Sequence, residues 1–179
     1  MNKKLKTTEL NRLSNEDFKE TKKIPLVVVL DNIRSMHNIG SVFRTSDAFL
    51  VESIELCGYT AKPPHKDIQK TALGATDTVA WTHHEDTVSC VEALKAKGYK
   101  IFAIEQTEKS TLIQDVAFDV NEKVAIIMGN EVKGVQQKVI DICDGSIEIP
   151  QFGTKHSLNV SVCSGILIWE IAKKLMPIK

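Results

Sequence analysis

Short apolar runs alternate with amphipathic segments along most of this chain. The first run, residues 24–30, is almost entirely aliphatic and rich in β-branched residues, which is typical of a strand buried on both faces. The predicted strands are 24–30, 53–57, 78–81, 99–104, 123–128 and 146–149. The predicted helices are 41–51, 66–73, 86–97, 132–142 and 157–175. Strands that alternate with helices predict an α/β fold with a parallel sheet.

The last predicted helix carries a stripe of apolar residues at steps of four, four and three. The stripe consists of Leu158, Val162, Ile166 and Trp169. Helical geometry places residues at these steps on one face. We predict that this face is buried, either in the core or in an interface between subunits.

The first 23 residues differ from the rest, because lysines and arginine are mixed there with acidic residues and apolar runs are absent. Ser14 followed by Asp17 predicts the start of a short helix. We divide the chain into a polar N-terminal extension, residues 1–23, and a single folded domain, residues 24–179. The extension is interpreted as a solvated segment or, alternatively, as an arm that touches RNA.

The overall charge is balanced, with 23 lysines and arginines against 23 aspartates and glutamates. This balance disfavours a large electrostatic surface for nucleic acid, although not a local one. The four cysteines form no C-x-x-C pair, which predicts free thiols in a reducing compartment. The N-terminus is charged and no apolar run approaches the roughly 20 residues of a membrane span, so we expect a cytoplasmic protein without a membrane partner.

Polar loops follow three of the predicted strands, at the edge of a parallel sheet where ligands bind. One loop begins at Gly129 and ends at Gly134, with the glycine spacing of a phosphate-binding loop. The Lys-Ser/Thr pair of that motif is missing, and Glu131 would repel a phosphate. This loop therefore favours a ligand that is neutral or cationic where it touches the protein. Taken singly, Glu131 also suits an ordinary helix start and Arg44 an ordinary surface ion pair.

Three groups of residues, in this order, resemble the motifs of the SpoU/TrmH-type RNA methyltransferases of the SPOUT superfamily. The first is Asn38-Ile39-Gly40 with Arg44, and the second runs from Ile126 through Gly129-Asn130-Glu131 to Gly134. The third is Ile149-Pro150 followed by residues 157–161. The resemblance covers residues 25–175. Gln151-Phe152 departs from it, because many members have a methionine after the proline.

The resemblance implies a parallel sheet whose C-terminal segment forms a deep trefoil knot. It also implies a homodimer in which the knotted segments form the interface. The knot loops of the family hold S-adenosylmethionine through backbone contacts. The residues at the matching positions are Gly129, Ile149 and Leu158, with Ala103 and Ile104 at a further strand end.

The implied reaction is methylation of a ribose 2′-hydroxyl in RNA. The resemblance assigns catalysis to Arg44, with Asn38, Glu131, Ser157 and Asn159 around it. Arg44 is either the base or, because arginine keeps its proton at physiological pH, a group that binds phosphate and stabilises the alkoxide. Methyl transfer from a sulfonium needs no metal. We therefore expect no ligand role for the histidines, which are His37, His65, His83, His84 and His156.

The RNA contacts are expected in the loop after the second strand. The residues proposed for them are Lys62, His65, Lys66 and Lys70, although a solvated loop would also explain this segment. No separate RNA-binding domain precedes residue 24, which slightly favours transfer RNA over ribosomal RNA. The alternative function is a non-catalytic RNA-binding or ribosome-assembly factor of the same fold, which would have no need of the complete set of polar motif residues.

Overall fold

Each predicted apolar run forms a strand of one sheet in a computed structural model that describes residues 1–176. The strands are β1 (Ile24–Asp31), β2 (Val51–Cys57), β3 (Ala80–His84), β4 (Lys100–Ile104), β5 (Thr111–Leu112), β6 (Val124–Met128) and β7 (Gly145–Glu148). Their order is β3-β2-β1-β6-β4-β7-β5, and all neighbours run parallel. The predicted α/β fold is confirmed, except that the two-residue β5 was not predicted.

Helices cover both faces of the sheet. They are α1 (Asn15–Glu20), α2 (Met36–Ala48), α3 (Lys66–Ala72), α4 (Thr87–Ala96), α5 (Gln137–Ile140) and α6 (Val160–Leu175). Side chains of β1 alternate between two cores, as expected for a central strand. Val28 packs in the core that contains Phe43 of α2 and Ile168 of α6. Val29 packs in the core that contains Val91 of α4.

The N-terminal extension is not entirely solvated. Ser14 caps α1 as predicted, because its hydroxyl accepts a hydrogen bond from the N–H of Asp17 at 3.0 Å. Phe18 is 4% exposed and belongs to the same core as Val28. The ammonium group of Lys23 lies 4.4 Å from the centre of the Phe18 ring. Part of the extension therefore docks on the domain. The last three residues of the predicted domain, 177–179, lie outside the described residues.

Helix α2 begins earlier than predicted. The hydroxyl of Ser35 accepts a hydrogen bond from the N–H of Asn38 at 3.3 Å and caps the helix. Asn38 and Gly40 therefore lie in the helix and not in the preceding loop. Gly40 allows α3 to come close, since a Cβ there would lie 2.2 Å from the carbonyl oxygen of Ile68.

The predicted helix 132–142 is wrong in its first half, because only Gln137–Ile140 is helical. Residues 130–134 form a closed turn, and Gly134 has a φ of +68°. A left-handed residue at this position interrupts a right-handed helix, so the helix starts only after it.

Helix α6 is present, but its predicted stripe does not face the core. The stripe that was expected to be buried is exposed to between 37% and 53%; it comprises Leu158, Val162, Ile166 and Trp169. The core instead receives Leu167, Ile168 and Ile171 from the opposite face. The helix begins at Val160 and not at residue 157, and Asn159 caps it, because Asn159 Oδ1 accepts from the N–H of Ser161 at 2.9 Å. The helix is apolar on two faces, and the prediction that the stripe faces the core is wrong, whereas its burial in an interface between subunits stays a prediction.

All four cysteines are free, as predicted. Cys57 and Cys90 are buried, whereas Cys143 and Cys163 are partly buried. Burial raises the pKa of the Cys143 and Cys163 thiols to about 11, so both remain protonated near neutral pH. Among residues 1–176 no helix is long and apolar enough to cross a bilayer.

Candidate active site

The loops after β1 and β6 meet at the carboxyl edge of the sheet, where Glu131 joins them. Its Oε2 accepts a hydrogen bond from the N–H of Arg34 at 2.9 Å, and its Oε1 accepts one from the N–H of Ser35 at 3.0 Å. Asn38 Nδ2 donates to the same Oε1 at 3.1 Å. Asn38 Oδ1 accepts from Asn159 Nδ2 at 3.3 Å. We call these five residues the Glu131 network; it links the start of α2 to the start of α6.

Opposing effects set the pKa of Glu131. Burial alone would raise the pKa, because it disfavours the charged carboxylate. Hydrogen bonds from the N–H groups of Arg34 and Ser35, and from the side chain of Asn38, stabilise the charged form and together outweigh burial. The net result is a pKa below the usual 4.5. Glu131 is therefore an anionic acceptor at neutral pH.

Asn130 fixes the shape of the same loop, although only 7% of its surface is exposed. Its Nδ2 donates to the carbonyl of Asn32 and to the hydroxyl oxygen of Tyr59, both at 2.8 Å. Its Oδ1 accepts from the N–H groups of Val132 and Lys133 at 3.0 and 2.9 Å. All the hydrogen-bonding capacity of this buried amide is used within the loop or across to β1 and β2.

The turn itself is closed by two hydrogen bonds between Asn130 and Gly134, of 3.1 and 2.9 Å. Gly129 lies directly against the returning chain, since a Cβ there would lie 2.3 Å from the backbone nitrogen of Val135. The carboxylate of Glu105, at the end of β4, accepts from the same N–H at 3.1 Å. No side chain other than hydrogen fits at Gly129 without opening the turn.

A cavity of about 1270 Å³ lies beside this turn. Ligand sites usually fall between roughly 300 and 1,000 Å³, so this one has room for an extended organic ligand. Four of the predicted cofactor residues line it, namely Ile104, Gly129, Ile149 and Leu158. Ala103 does not, because successive strand residues point to opposite faces and Ala103 packs in the core below α4. Glu131, Ser157 and Asn159 also line the cavity.

The loop of residues 150–158 borders this cavity through Gln151 and residues 156–158, and residues 151–159 are all exposed. Within residues 150–158, one hydrogen bond to another segment is present in the described part of the chain: the side chain of Gln106 donates to the carbonyl of His156 at 3.0 Å. A smaller cavity of about 500 Å³ lies between this loop and Ile166 of α6. Ser157 borders both cavities.

Arg44 is not part of the Glu131 network. It lies in the third turn of α2, six residues after Asn38, and is exposed to solvent. A separation of six residues places the two side chains on different sides of the helix. One copy of the chain therefore brings together Asn38, Glu131 and Asn159, and leaves Arg44 apart.

The residues expected to contact RNA surround the start of α3. Lys62, Lys66 and Lys70 are exposed, but Lys70 forms an ion pair with Asp67 at 2.7 Å. The hydrogen bond from Lys70 lowers the pKa of the Asp67 carboxyl. His65 caps α3, because its Nδ1 accepts from the N–H of Asp67 at 3.2 Å. Lys62 and Lys66 are therefore the cations of this group that have no acidic partner among the described residues.

Sequence reasoning gave no role to Asp31, Asn32, Asn130 or Glu105, although each helps to hold the site together. Asp31 is fully buried and accepts hydrogen bonds from the hydroxyl of Thr87 at 2.6 Å and from the side chain of Gln136 at 2.9 Å. An aspartate at the end of an otherwise apolar strand could have been noticed in the sequence, because a buried carboxylate needs hydrogen-bond partners from other parts of the chain.

One histidine lies in a cluster of potential metal ligands. Donor atoms of Glu55, His84 and Cys90 lie within 4.8 Å of one another. The Glu55 carboxylate already has partners, since Ser53 donates to one oxygen at 2.8 Å and His84 Nε2 lies 2.8 Å from the other. Each oxygen of the carboxylate thus has a partner within the protein, and the absence of a metal role stays a prediction.

The chain matches the model of one protein family over residues 25–169, and that family is described as the SpoU rRNA methylase family. The chain is 30% identical over 150 residues to a 23S rRNA (guanosine-2'-O-)-methyltransferase of Neisseria meningitidis, covering 84% of this chain and 59% of that protein. It is 28% identical over 167 residues to a tRNA (guanosine(18)-2'-O)-methyltransferase of Thermus thermophilus, covering 93% and 84%. The chain spans 61%, 60% and 59% of the length of three curated relatives.

Solved structures show the same fold. The A. aeolicus TrmH/SpoU tRNA modifying enzyme matches with a TM-score of 0.78 and 27% identity, covering 89% of this chain and 79% of that one. An AdoMet-bound rRNA methyltransferase from Sinorhizobium meliloti matches with a TM-score of 0.80 and 24% identity, covering 89% and 60%. At this level of identity the second likeness concerns the fold alone.

Proposed function

This chain belongs to the SpoU rRNA methylase family, and we propose that it transfers a methyl group from S-adenosylmethionine to a ribose 2′-hydroxyl in RNA. The observation that carries the proposal is the Glu131 network. Residues from all three motifs, Asn38, Glu131 and Asn159, are hydrogen-bonded in a row beside a cavity of about 1270 Å³. A protein that only binds RNA has no need of this arrangement.

The cavity suits S-adenosylmethionine in its chemistry. Ile104, Ile149 and Leu158 offer apolar surface to a purine, and the chain at Gly129 carries no side chain between its backbone and the cavity. Glu105 and Glu131 also line the cavity, and negative charge favours a sulfonium cation over a phosphate. The bound cofactor would supply an electrophilic methyl group. We propose no metal for this step.

The chemical requirement on the chain is to activate a weak nucleophile, the 2′-hydroxyl, in line with the methyl group. We assign to Arg44 the phosphate beside the target ribose and the developing alkoxide, because a guanidinium keeps its own proton. A phosphate oxygen held by Arg44 would then accept the proton of the hydroxyl. Asn38 and Asn159 would orient the hydroxyl, and Glu131 and Ser157 would position the surrounding loops.

The separation of Arg44 from the Glu131 network supports a site that a second copy completes. We propose a homodimer that uses the exposed face of α6, and a C-terminal segment, including α6, that forms a trefoil knot. Val162, Ile166 and Trp169 are exposed on adjoining turns, and the Trp169 ring lies 5.6 Å from the ring of Phe49 at the end of α2. Exposed apolar side chains that adjoin one another on a helix are typical of a face that binds another protein.

The substitution Ile166→Glu tests the dimer. Ile166 is 39% exposed in one copy, so a charge there is tolerated in a monomer but would be desolvated in the interface. We expect a monomer by light scattering at concentrations at which the parent chain is a dimer. Val120→Glu, at a 63% exposed position before β6, is the control and should not change the mass. A dimer in both variants would exclude this face.

The substrate is proposed to be transfer RNA in preference to ribosomal RNA, in the cytoplasm, and residues 24–179 to be the methyltransferase domain. The proposed RNA contacts are Lys62, His65, Lys66 and Lys70, of which Lys62 and Lys66 lack an acidic partner in the described chain. With so few free cations, binding should be of moderate strength and sensitive to salt.

The decisive experiment measures methyl transfer from labelled S-adenosylmethionine to unmodified transfer and ribosomal RNA, followed by digestion to nucleosides. We expect label in one 2′-O-methyl nucleoside. Arg44→Ala should lower turnover by on the order of 10²–10³, the usual effect of removing a group that stabilises an oxyanion. Lys97→Ala, which also removes an exposed positive charge but lies before β4 at the amino edge of the sheet, is the matched control and should retain activity.

The opposite results are equally informative. Cofactor binding without label in any RNA would favour the non-catalytic RNA-binding factor. Full activity of Arg44→Ala would remove the assigned role from this arginine while leaving the reaction in place.

A further inference from the structure

Tyr59 is an exposed aromatic residue that is held at both ends. It follows β2 at the carboxyl edge of the sheet, and 62% of its surface is exposed. Its hydroxyl oxygen accepts the hydrogen bond from Asn130 Nδ2 at 2.8 Å, and its N–H donates to Asn32 Oδ1 at 3.2 Å. Most exposed tyrosines turn the hydroxyl to water and rest the ring on the protein. Here the hydroxyl is bound and much of the ring remains free.

The backbone on both sides of Tyr59 is fixed as well. Gly58 has a φ of +63°, and a Cβ there would lie 2.1 Å from Asn32 Oδ1, so the chain passes directly over this side chain. Thr60 is 2% exposed, and its hydroxyl donates to the carbonyls of Leu30 and Cys57 at 3.0 and 2.8 Å. The ring is therefore ordered before any ligand arrives, which lowers the entropic cost of binding.

The position of Tyr59 relates it to the substrate and not to the cofactor. Tyr59 does not line the large cavity. It contacts Asn130, the neighbour of Glu131, and it lies three residues before Lys62, the first proposed RNA contact. Tyr59 thus contacts the loop that carries Glu131 and belongs to the same connection, after β2, as the basic segment 62–70.

We propose that the Tyr59 ring is a stacking platform for an unpaired base beside the methylated ribose. The inference rests on the proposed RNA substrate and deepens it. In a regular RNA helix each base is stacked between its neighbours and is not free to contact a protein ring. Proteins that recognise unpaired RNA instead stack the free bases on aromatic side chains. Such stacking contributes to affinity without selecting one base, so Tyr59 would hold the nucleotide in place and leave its identity to other contacts.

Binding measurements test the platform without requiring catalysis. Transcribed, unmodified transfer RNA and ribosomal RNA fragments are titrated against the parent chain, Tyr59→Phe and Tyr59→Leu. We expect Tyr59→Leu to raise the Kd by about 5- to 150-fold, the usual effect of removing one stacked base. Tyr59→Phe keeps the ring and should stay within about threefold of the parent. Val120→Ala, an exposed apolar position on the opposite edge of the sheet, is the control.

Salt dependence separates stacking from charge. The ratio of the Kd of Tyr59→Leu to the Kd of the parent should stay nearly constant between about 50 and 300 mM salt, because stacking releases no counterions. Lys66→Ala should instead reduce the slope of log Kd against log salt. Unchanged melting temperatures would show that the variants are folded.

The outcomes distinguish this inference from the proposed activity. If the parent methylates RNA and Tyr59→Leu has the same Kd and KM, the platform is excluded and the activity stands. If no RNA is methylated but Tyr59→Leu still weakens binding, the platform stands without the activity. If Tyr59→Phe is as defective as Tyr59→Leu, the hydroxyl bond to Asn130 matters and the ring face does not, which also excludes the platform.

Discussion

The two loops that border the large cavity are held in opposite ways. The loop of residues 129–136 is hydrogen-bonded to residues that follow three strands, β1, β2 and β4, through Asn130, Glu131 and the carboxylate of Glu105. The loop of residues 150–158 has one hydrogen bond to another segment in the described chain, from Gln106 to the carbonyl of His156. The first loop already has its working shape. We expect the second to be held mainly by what binds it, for which the proposed cofactor and a second copy of the chain are the candidates.

Because of this difference, the two loops should contribute unequally to the entropic cost of binding a ligand. A loop that is fixed in the free protein costs little to order, whereas a free loop must be ordered by the ligand. Weakly held segments are also those that open locally and move on binding. We therefore expect the loop 129–136 to set the geometry of the site and the loop 150–158 to control entry and release.

The largest effect should come from adding a single methyl group to each loop. Gly129→Ala places a Cβ 2.3 Å from backbone atoms of Gly134 and Val135, whereas Gly153→Ala meets nothing within 4 Å. Overpacking of this kind costs typically 1–3 kcal/mol, which the turn can relieve by opening. S-adenosylmethionine affinity, measured by calorimetry, should therefore fall about 5- to 150-fold in Gly129→Ala. Gly153→Ala should bind within about twofold of the parent.

Equal effects of the two substitutions would contradict the comparison. Equal and small effects would mean that the turn at Gly129 is not used in binding. Equal and large effects would mean that the loop 150–158 is held as firmly in the free protein as the turn at Gly129. The two loops would then not differ.

Trypsin compares the same loops through one lysine in each. Lys133 and Lys155 are both exposed, but the N–H of Lys133 is bound to Asn130 Oδ1 at 2.9 Å. Proteolysis requires local opening, so cleavage after Lys155 should be faster by on the order of tenfold or more. Saturating S-adenosylmethionine should slow cleavage after Lys155 and leave Lys133 unchanged. Mass spectrometry of the first fragments gives both rates, and preferred cleavage after Lys133 would reverse the assignment.

The same contrast explains what could be predicted from the sequence. The strands were predicted because buried parallel strands are continuous apolar runs, and β1 and β6 fit that pattern closely. The start of α5 was missed because the turn at 130–134 depends on hydrogen bonds from Asn130 to distant residues, Asn32 and Tyr59. A local pattern of apolar residues does not contain that information.

The orientation of α6 shows a second limit. Both of its faces are apolar, so helical periodicity identifies the helix but not the face that packs inward. Leu167, Ile168 and Ile171 fill the core, and the stripe with Ile166 and Trp169 stays outside. Periodicity within one chain treats a core face and a face left for a partner alike.

At the site, motif resemblance found residues to which we assign the chemistry but not those that hold them. Asn38, Glu131 and Asn159 were predicted and lie together. Asn130 was quoted within the second motif but given no role, and Asn32 was not singled out, because asparagine in a polar loop is an ordinary turn residue. Their contribution comes from partners about 100 positions away in the chain, and only the folded structure provides them.

The smallest expected effect concerns the charge that holds the first loop. The pKa of Glu131 lies below its usual 4.5, because bonds from Arg34, Ser35 and Asn38 together outweigh burial. A carboxyl with a lowered pKa contributes stability that is present above the unfolded value and is lost as the pH falls through the folded value. The backbone N–H resonances of Arg34 and Ser35 should therefore titrate with a midpoint below 4.5, and Glu131→Gln should abolish that titration.

A midpoint above 4.5 would mean that burial outweighs the hydrogen bonds and that Glu131 does not hold the loop as an anion. Because this side chain is largely exposed, solvent screens the charge and the change in stability should be small. The loop 150–158 contains no carboxylate, so acid should weaken the hydrogen bonds that hold the loop 129–136 and leave the loop 150–158 unchanged. At low pH the two loops should therefore differ less in how firmly they are held.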